Sequence, residues 1–334
     1  FPPLKSLDLH QHNMPVQPTA LIGREAEIAV VRSMLSSPAE PIVTLTGPGG
    51  MGKTRLALQV GAEVVEHFEH GVFFVDLSSI EDPELMPAAI GQALHLKESG
   101  NRPYMAILTE FLKDRHILLI LDNLEQIMAS RDQIVTLTGA CGGVKVIVTS
   151  REALRVRGEK VFNVPPLALP DLRPDERQDI ETTSQYEAVR LFIERARAAK
   201  QDFRISNSNA PAVAEICVRL DGIPLAIELA AARIRMLSPD AILARLEHSL
   251  SLLKGGMNDL PVRQQALRAT IDWSYNMLDD EHKRLFRDLS VFKGGFTLDA
   301  AELVFTDTPE DADLFQGIES LVDKSFVFPE ETGT

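Results

Sequence analysis

Between Ile42 and Val164 the chain alternates short, unbroken apolar runs with longer stretches whose apolar residues recur at helical spacing. Residues 42–46, 72–77, 117–121, 144–149 and 161–164 each read as a buried strand, and amphipathic segments separate them. A strand covered on both faces needs no polar alternation, so repeated strand–helix units of this kind predict an α/β domain with a mostly parallel sheet. After Pro165-Pro166 the strands stop. Residues 186–199 carry Ala188, Val189, Phe192, Ile193 and Ala196 on one helical face, and further helices are expected over 210–220, 225–236 and 239–246. The loop Lys254-Gly255-Gly256 ends this all-helical part. A third segment opens at Gln265 and places helices at 280–289, 298–304 and 314–322. A strand start follows at Ser325-Phe326-Val327-Phe328, a pattern that predicts a winged helix truncated at its C-terminus. The resulting division is a linker over 1–20, an α/β domain over 21–166, a helical domain over 167–255 and a winged-helix domain over 256–334.

One octapeptide gives the first domain its chemistry. Gly47-Pro48-Gly49-Gly50-Met51-Gly52-Lys53-Thr54 matches G-x-x-x-x-G-K-[ST] in full, and Arg55 begins the good helix former that follows it. The run Ile42-Val43-Thr44-Leu45-Thr46 precedes it, so the motif has its proper strand–loop–helix context. Glycines let successive backbone N–H groups turn inward, and the helix start adds its positive dipole end, which together cradle polyanionic phosphate. Lys53 supplies a positive charge for β- and γ-phosphates, and the Thr54 hydroxyl is placed to ligate Mg²⁺.

Further carboxylates and a cation come from strand ends. Ile117-Leu118-Leu119-Ile120-Leu121 terminates in Asp122, whose position beside the loop makes it available to Mg²⁺, while the competing role is a cap for the next helix. Asn123 cannot serve as a base because its amide does not usefully ionise. Glu125 is the nearest alternative for orienting or deprotonating water, and it reads equally well as a first-turn glutamate favoured by the helix dipole. Arg151, after Val148-Thr149-Ser150, is either a γ-phosphate reader or a solvated strand-end arginine.

Composition narrows the function classes. The 334 residues carry a net charge of −14, which argues against a general nucleic-acid surface. Residues 257–334 have 7 Lys and Arg against 16 Asp and Glu, a net −9, where phosphate binding needs the opposite sign. No stretch approaches the roughly 18 apolar residues of a membrane span. Cys141 and Cys217 lack metal-ligand spacing and sit in apolar surroundings, the pattern of free thiols in a reducing cytoplasm. The start Phe1-Pro2-Pro3-Leu4-Lys5 is neither a signal peptide nor an initiator methionine, and is expected in a piece of a longer chain.

The chain resembles the signal-transduction ATPases with numerous domains, the STAND class that includes the NB-ARC proteins, and most of all bacterial regulators of that class. The resemblance is carried by Ile22-Gly23-Arg24-Glu25, the phosphate loop, Leu121-Asp122-Asn123-Leu124-Glu125, Thr149-Ser150-Arg151-Glu152, Gly222-Ile223-Pro224-Leu225-Ala226 and Leu267-Arg268-Ala269-Thr270-Ile271-Asp272-Trp273-Ser274-Tyr275. It implies that Ile22, Gly23 and Arg24 lie against adenine, that Pro224 packs on the base, and that Arg151 is the sensor arginine. It also implies a P-loop sheet with strand order 5-1-4-3-2. Two departures matter. Many family members carry two acidic residues where this chain has Asp122 then Asn123, which implies slow hydrolysis at most. A Met-His-Asp-type motif should follow Leu321-Val322-Asp323-Lys324-Ser325, and the chain ends at Thr334 before one appears.

The expected function is an ATP/ADP-binding switch with Mg²⁺ as its metal, serving effector and sensor domains of the same full-length chain. A homo-oligomer is expected in the ATP state. Direct nucleic-acid binding by this segment and membrane association are not expected. Two alternatives remain: a DNA-binding regulator acting through its winged helix, and a remodelling ATPase. Absence of the guanine-reading Asn-Lys-x-Asp tetrad leans towards adenine.

Overall fold

Each of the five apolar runs forms a strand, and all four pairings between them are parallel. This computed structural model describes residues 11–17, 19–47, 49–96, 102–171, 180–253, 275, 278–292, 295–304, 311–323 and 326–327. The chain divides into two compact units, Phe1–Pro165 and Pro166–Thr334.

In the first unit the strands are β1 (Ile42–Thr46), β2 (Val72–Asp76), β3 (Ile117–Asp122), β4 (Val144–Ser150) and β5 (Glu159–Asn163), in spatial order β2-β3-β4-β1-β5. This is the 5-1-4-3-2 order expected for the P-loop sheet, counted from the other edge. Every residue of β1 and β3 is buried, which is why they read as unbroken apolar runs rather than alternating ones. Their side chains still divide between two faces. Ile117, Leu119 and Leu121 join Val144, Val146, Val148, Phe73 and Val75 in a cluster with residues of α3 (Met86–Ala93), α4 (Tyr104–Leu112) and α5 (Arg131–Ala140). Ile120 faces the other way, onto α2 (Lys53–Val64), where a Cβ at Gly61 would lie 2.7 Å from its Cδ1. The helix α1 (Glu25–Leu35) packs beside α2.

Two features of the edges differ from the sequence reading. β5 is not a buried strand: it forms one edge of the sheet, and its Val161 is 44% exposed. On the opposite edge, part of the expected linker is docked. His12 bridges to Val72, Gln11 O accepts from Val72 N–H at 3.1 Å, and Asn13 exchanges two hydrogen bonds with the backbone of Phe74.

The second unit is helical. It contains α6 (Ile180–Thr183), α7 (Glu187–Ala199), α8 (Ala210–Arg219), α9 (Pro224–Ala232) and α10 (Pro239–Leu253). Its later part has α11 (Asp280–Leu289), capped by the Asp279 carboxylate on His282 N–H, α12 (Leu298–Val304) and α13 (Asp311–Asp323). These surround a small core of Leu278, Leu289, Ala301, Ile318 and Leu321. The expected opening at 265–274, the loop at 254–256, and Ser325 and Phe328 of the expected strand start lie outside the described residues. Phe326 and Val327 turn back, both donating to Leu321 O, rather than extending as a strand.

Candidate functional site

Parallel topology brings the C-terminal ends of β1, β4 and β3 side by side, and the chemistry-bearing residues follow those ends. The phosphate loop leaves β1 and returns as α2. Gly50 and Gly52 have φ of 81° and 84°, a left-handed backbone that side-chain-bearing residues rarely adopt. A Cβ added at Gly49 or Gly52 would meet nothing within 4 Å, so the loop is open there and has room for a bulky anion. Pro48 lies outside the described residues. Met51 is buried. α2 begins at Lys53 with no side-chain cap and no acidic residue in its first turn, leaving its positive end unneutralised by a carboxylate of its own.

Lys53 Nζ donates to Gly47 O at 2.8 Å, folded back over the loop. Burial lowers its pKa from the ordinary value, Glu125 and Asp122 oppose that by favouring the charge, and Arg151 reinforces it. The ammonium is therefore a partly desolvated cation. Thr54 Oγ1 donates to Asp122 Oδ1 at 2.7 Å, tying the first turn of α2 to the tip of β3. Arg55 sends its guanidinium to Thr19 O, Thr19 Oγ1 and Ala20 O at 2.7, 3.0 and 3.0 Å. It braces the segment that enters the domain.

Asp122 is 4% exposed and well supplied with donors. Oδ1 accepts from Thr54 and from Thr149 Oγ1 at 2.5 Å, and Oδ2 accepts from Asn123 Nδ2 at 3.0 Å. Burial raises its pKa. The Thr149 and Thr54 hydrogen bonds pull the other way, and the charges of Asp76 and Glu125 add to the rise. Asp76 is its register partner on β2. Asn123 then turns left-handed at φ 62° and donates its N–H to Thr149 Oγ1 at 3.0 Å.

Glu125 lies in the 3-10 turn that follows, and its Oε1 is 3.4 Å from Arg151 Nε. Its Oε2 is buried with no hydrogen-bond partner, a position that suits a water or ligand donor. The Arg151 side chain is 73% exposed, so this pair is held loosely. Arg24 is 2% exposed, adopts φ 81°, pairs with Glu27 at 2.8 Å and donates to Met51 O at 3.3 Å. Its side chain therefore supports the loop's backbone. Ile22 is half-buried and Gly23 buried beside it.

Lys53, Thr54, Asp122, Glu125 and Arg151 are thus brought together, as the strand ends require. Pro224 belongs to the second unit, where it opens α9 after a turn through Asp221 and Gly222 with φ of 52° and 66°. A Cβ at Gly222 would lie 2.4 Å from Leu167 O, so that turn admits only glycine. Thr149 was not singled out as a site residue by sequence reasoning. The signal was its place at the tip of β4, between the strands carrying the loop and Asp122.

One hydroxyl and one carboxylate suit Mg²⁺, which keeps several waters and takes phosphate oxygens, better than a cation needing an all-protein cage. Among the described residues no group of three or more His, Cys, Asp or Glu could hold a metal alone. The open loop, the desolvated lysine and the Thr54–Asp122 pair fit a nucleotide with its Mg²⁺.

Comparison with known proteins gives four likenesses. The NB-ARC domain family matches residues 24–165. An uncharacterised protein of Mycobacterium tuberculosis is 38% identical over 96% of this chain and 78% of its own length. A second M. tuberculosis protein, named as an HTH-type transcriptional regulator, is 40% identical over 87% of this chain, which spans only 31% of it. Among solved structures, a STAND protein with a tetratricopeptide repeat sensor from Pyrococcus horikoshii superposes with a TM-score of 0.53 at 18% identity, over 93% of this chain and 40% of that one. No described helix is long and apolar enough to cross a membrane.

Proposed function

We propose, from the premise that this chain belongs to the NB-ARC family of STAND-class P-loop ATPases, that it is an adenine-nucleotide switch whose output is a change of domain arrangement. The observation that carries this reading is the Thr54–Asp122 hydrogen bond of 2.7 Å, which joins the phosphate loop's helix to the carboxylate-bearing strand. Lys53 and the loop from Gly47 to Thr54 hold the phosphates, with Arg55 fixing the entering chain behind them. Thr54 and Asp122 hold Mg²⁺, which neutralises phosphate charge when bound. Ile22, Gly23 and Arg24 border the adenine.

Turnover is slow. Asn123 occupies the place of a second acid, and its side chain donates to Asp122. Glu125 is left to orient the attacking water, and its loose partner Arg151 reads the γ-phosphate. We divide the chain functionally into a linker over 1–20, a nucleotide-binding domain over 21–166, a helical domain over 167–255 and a winged-helix clamp over 256–334. The net −9 of the last segment favours an intramolecular clamp over a DNA contact. By analogy with the HTH-type relative, the switch serves a transcription regulator; DNA contact by other domains and self-association in the ATP state complete the reading we propose.

The test is equilibrium binding of ADP and ATP to Lys53→Ala. Losing a charge-assisted phosphate contact costs about 1.5–3 kcal/mol, so affinity for both nucleotides should fall roughly 10- to 100-fold. Unchanged affinity would place the nucleotide elsewhere.

A further inference from the structure

The tip of β4 carries a hydroxyl that touches two parts of the site at once. Thr149 is 1% exposed, and its position is fixed by a central strand paired on both sides. A threonine hydroxyl has a single proton. Toward Asp122 Oδ1, at 2.5 Å, Thr149 can only donate, because the carboxylate is an acceptor; from Asn123 N–H, at 3.0 Å, it can only accept. Both of its roles are therefore used and unambiguous.

The other donors on Asp122 are less constant. Thr54 gives its proton to the same Oδ1, yet Thr54 is the residue whose oxygen must serve a cation. Asn123 reaches Oδ2 with a side chain that can rotate. Of the three, only Thr149 is set by a separate strand and has no ligand to accommodate. The bond from Asn123 N–H has a second effect. It pins the left-handed residue through which the chain leaves β3, and the turn bearing Glu125 starts immediately after it.

We propose that Thr149 is the positioning residue of the Mg²⁺ site, holding the Asp122 carboxylate in the orientation that the cation meets and fixing the turn that presents Glu125. The proposal rests on the nucleotide reading above. Thr149 touches neither phosphate nor metal in this role; it acts through Asp122. Hydrogen-bond partners behind metal ligands typically govern 10- to 100-fold in metal affinity, and this one also removes the need to reorganise the carboxylate on binding.

The experiment is titration of Mg²⁺ into the 334-residue chain with a fluorescent adenine nucleotide at fixed concentration, for the unmodified chain, Thr149→Val and Thr149→Ser. Valine keeps the shape and removes the hydroxyl. The Mg²⁺ concentration for half-maximal effect should rise about 10- to 100-fold in Thr149→Val, return towards normal in Thr149→Ser, and leave the affinity measured in EDTA nearly as it was. Adding Thr149→Val to Asp122→Ala should produce no further shift, since its target is already gone. If Thr149→Val does not fold, Thr149→Ala tests the same hydroxyl without the added methyl. A normal Mg²⁺ response in the hydroxyl-free variants overturns the positioning role while leaving the nucleotide site intact. Absence of any nucleotide binding by the unmodified chain overturns the underlying reading, and this proposal with it.

Discussion

At the scale of single residues, Asn123 follows Asp122 and cannot ionise, so Glu125 is the nearest further carboxylate for catalysis. Two roles were open for Glu125 from sequence, a water-orienting carboxylate or a glutamate favoured by the positive end of the following turn. The buried Oε2 without a partner supports the first, because a residue serving only the helix dipole has no reason to withdraw an oxygen from solvent. The two roles have different consequences in Glu125→Gln, which keeps the shape and removes the charge. If Glu125 orients and deprotonates water, single-turnover ATP hydrolysis should slow by about 10²- to 10⁴-fold with nucleotide affinity little changed. If it serves the dipole, hydrolysis should persist and stability should fall by about 0.3–1 kcal/mol. Lys53, Thr54 and Asp122 were legible in the sequence because their spacing and flanking pattern encode a local fold. Thr149 was not, since its partner lies on a different strand and no periodicity reports which polar tip faces which carboxylate.

At the scale of elements, apolar patterning located all five strands and the long helices, and it failed at the sheet's two edges for opposite reasons. Val161 sits in an apolar run yet is 44% exposed, because burial of a strand side chain depends on the layer packed on its face, which an apolar run alone does not report. Residues 11–13 show no strand pattern, because their docking is made by backbone groups and by Asn13, which mimics a backbone partner with both ends of its amide. The clearest trace of that docking is Gly71. Its φ is 101°, and a Cβ there would lie 2.2 Å from Gln11 O, which is main chain and cannot swing away as a side-chain tip can. Gly71→Ala should therefore combine left-handed strain with loss of the docked segment and destabilise by about 3 kcal/mol in urea denaturation. Gly61→Ala should cost less, since its nearest obstacle is the terminal methyl of Ile120 at 2.7 Å. Equal losses at the two positions would show that the 11–13 segment contributes nothing to stability.

At the scale of the whole molecule, the question is how far a nucleotide can drive a rearrangement. A ligand shifts a two-state equilibrium only by the difference in its affinity for the two states, and a swing from 1:99 to 99:1 needs about 10⁴-fold, or 5.5 kcal/mol. ADP and ATP differ here by one phosphate. On the proposed reading Lys53 meets both nucleotides, and the one group left to notice the difference is Arg151, which is loosely held and 73% exposed. A single charge-assisted hydrogen bond of that kind contributes about 1.5–3 kcal/mol, well short of a complete swing. Exchange of ADP for ATP should therefore leave this chain in a mixed population. Hydrogen exchange of the helical segments should show two populations with ATP and one with ADP, and Arg151→Ala should give the same pattern with either nucleotide. A complete conversion by ATP alone would mean that the γ-phosphate is sensed by more groups than the first unit supplies.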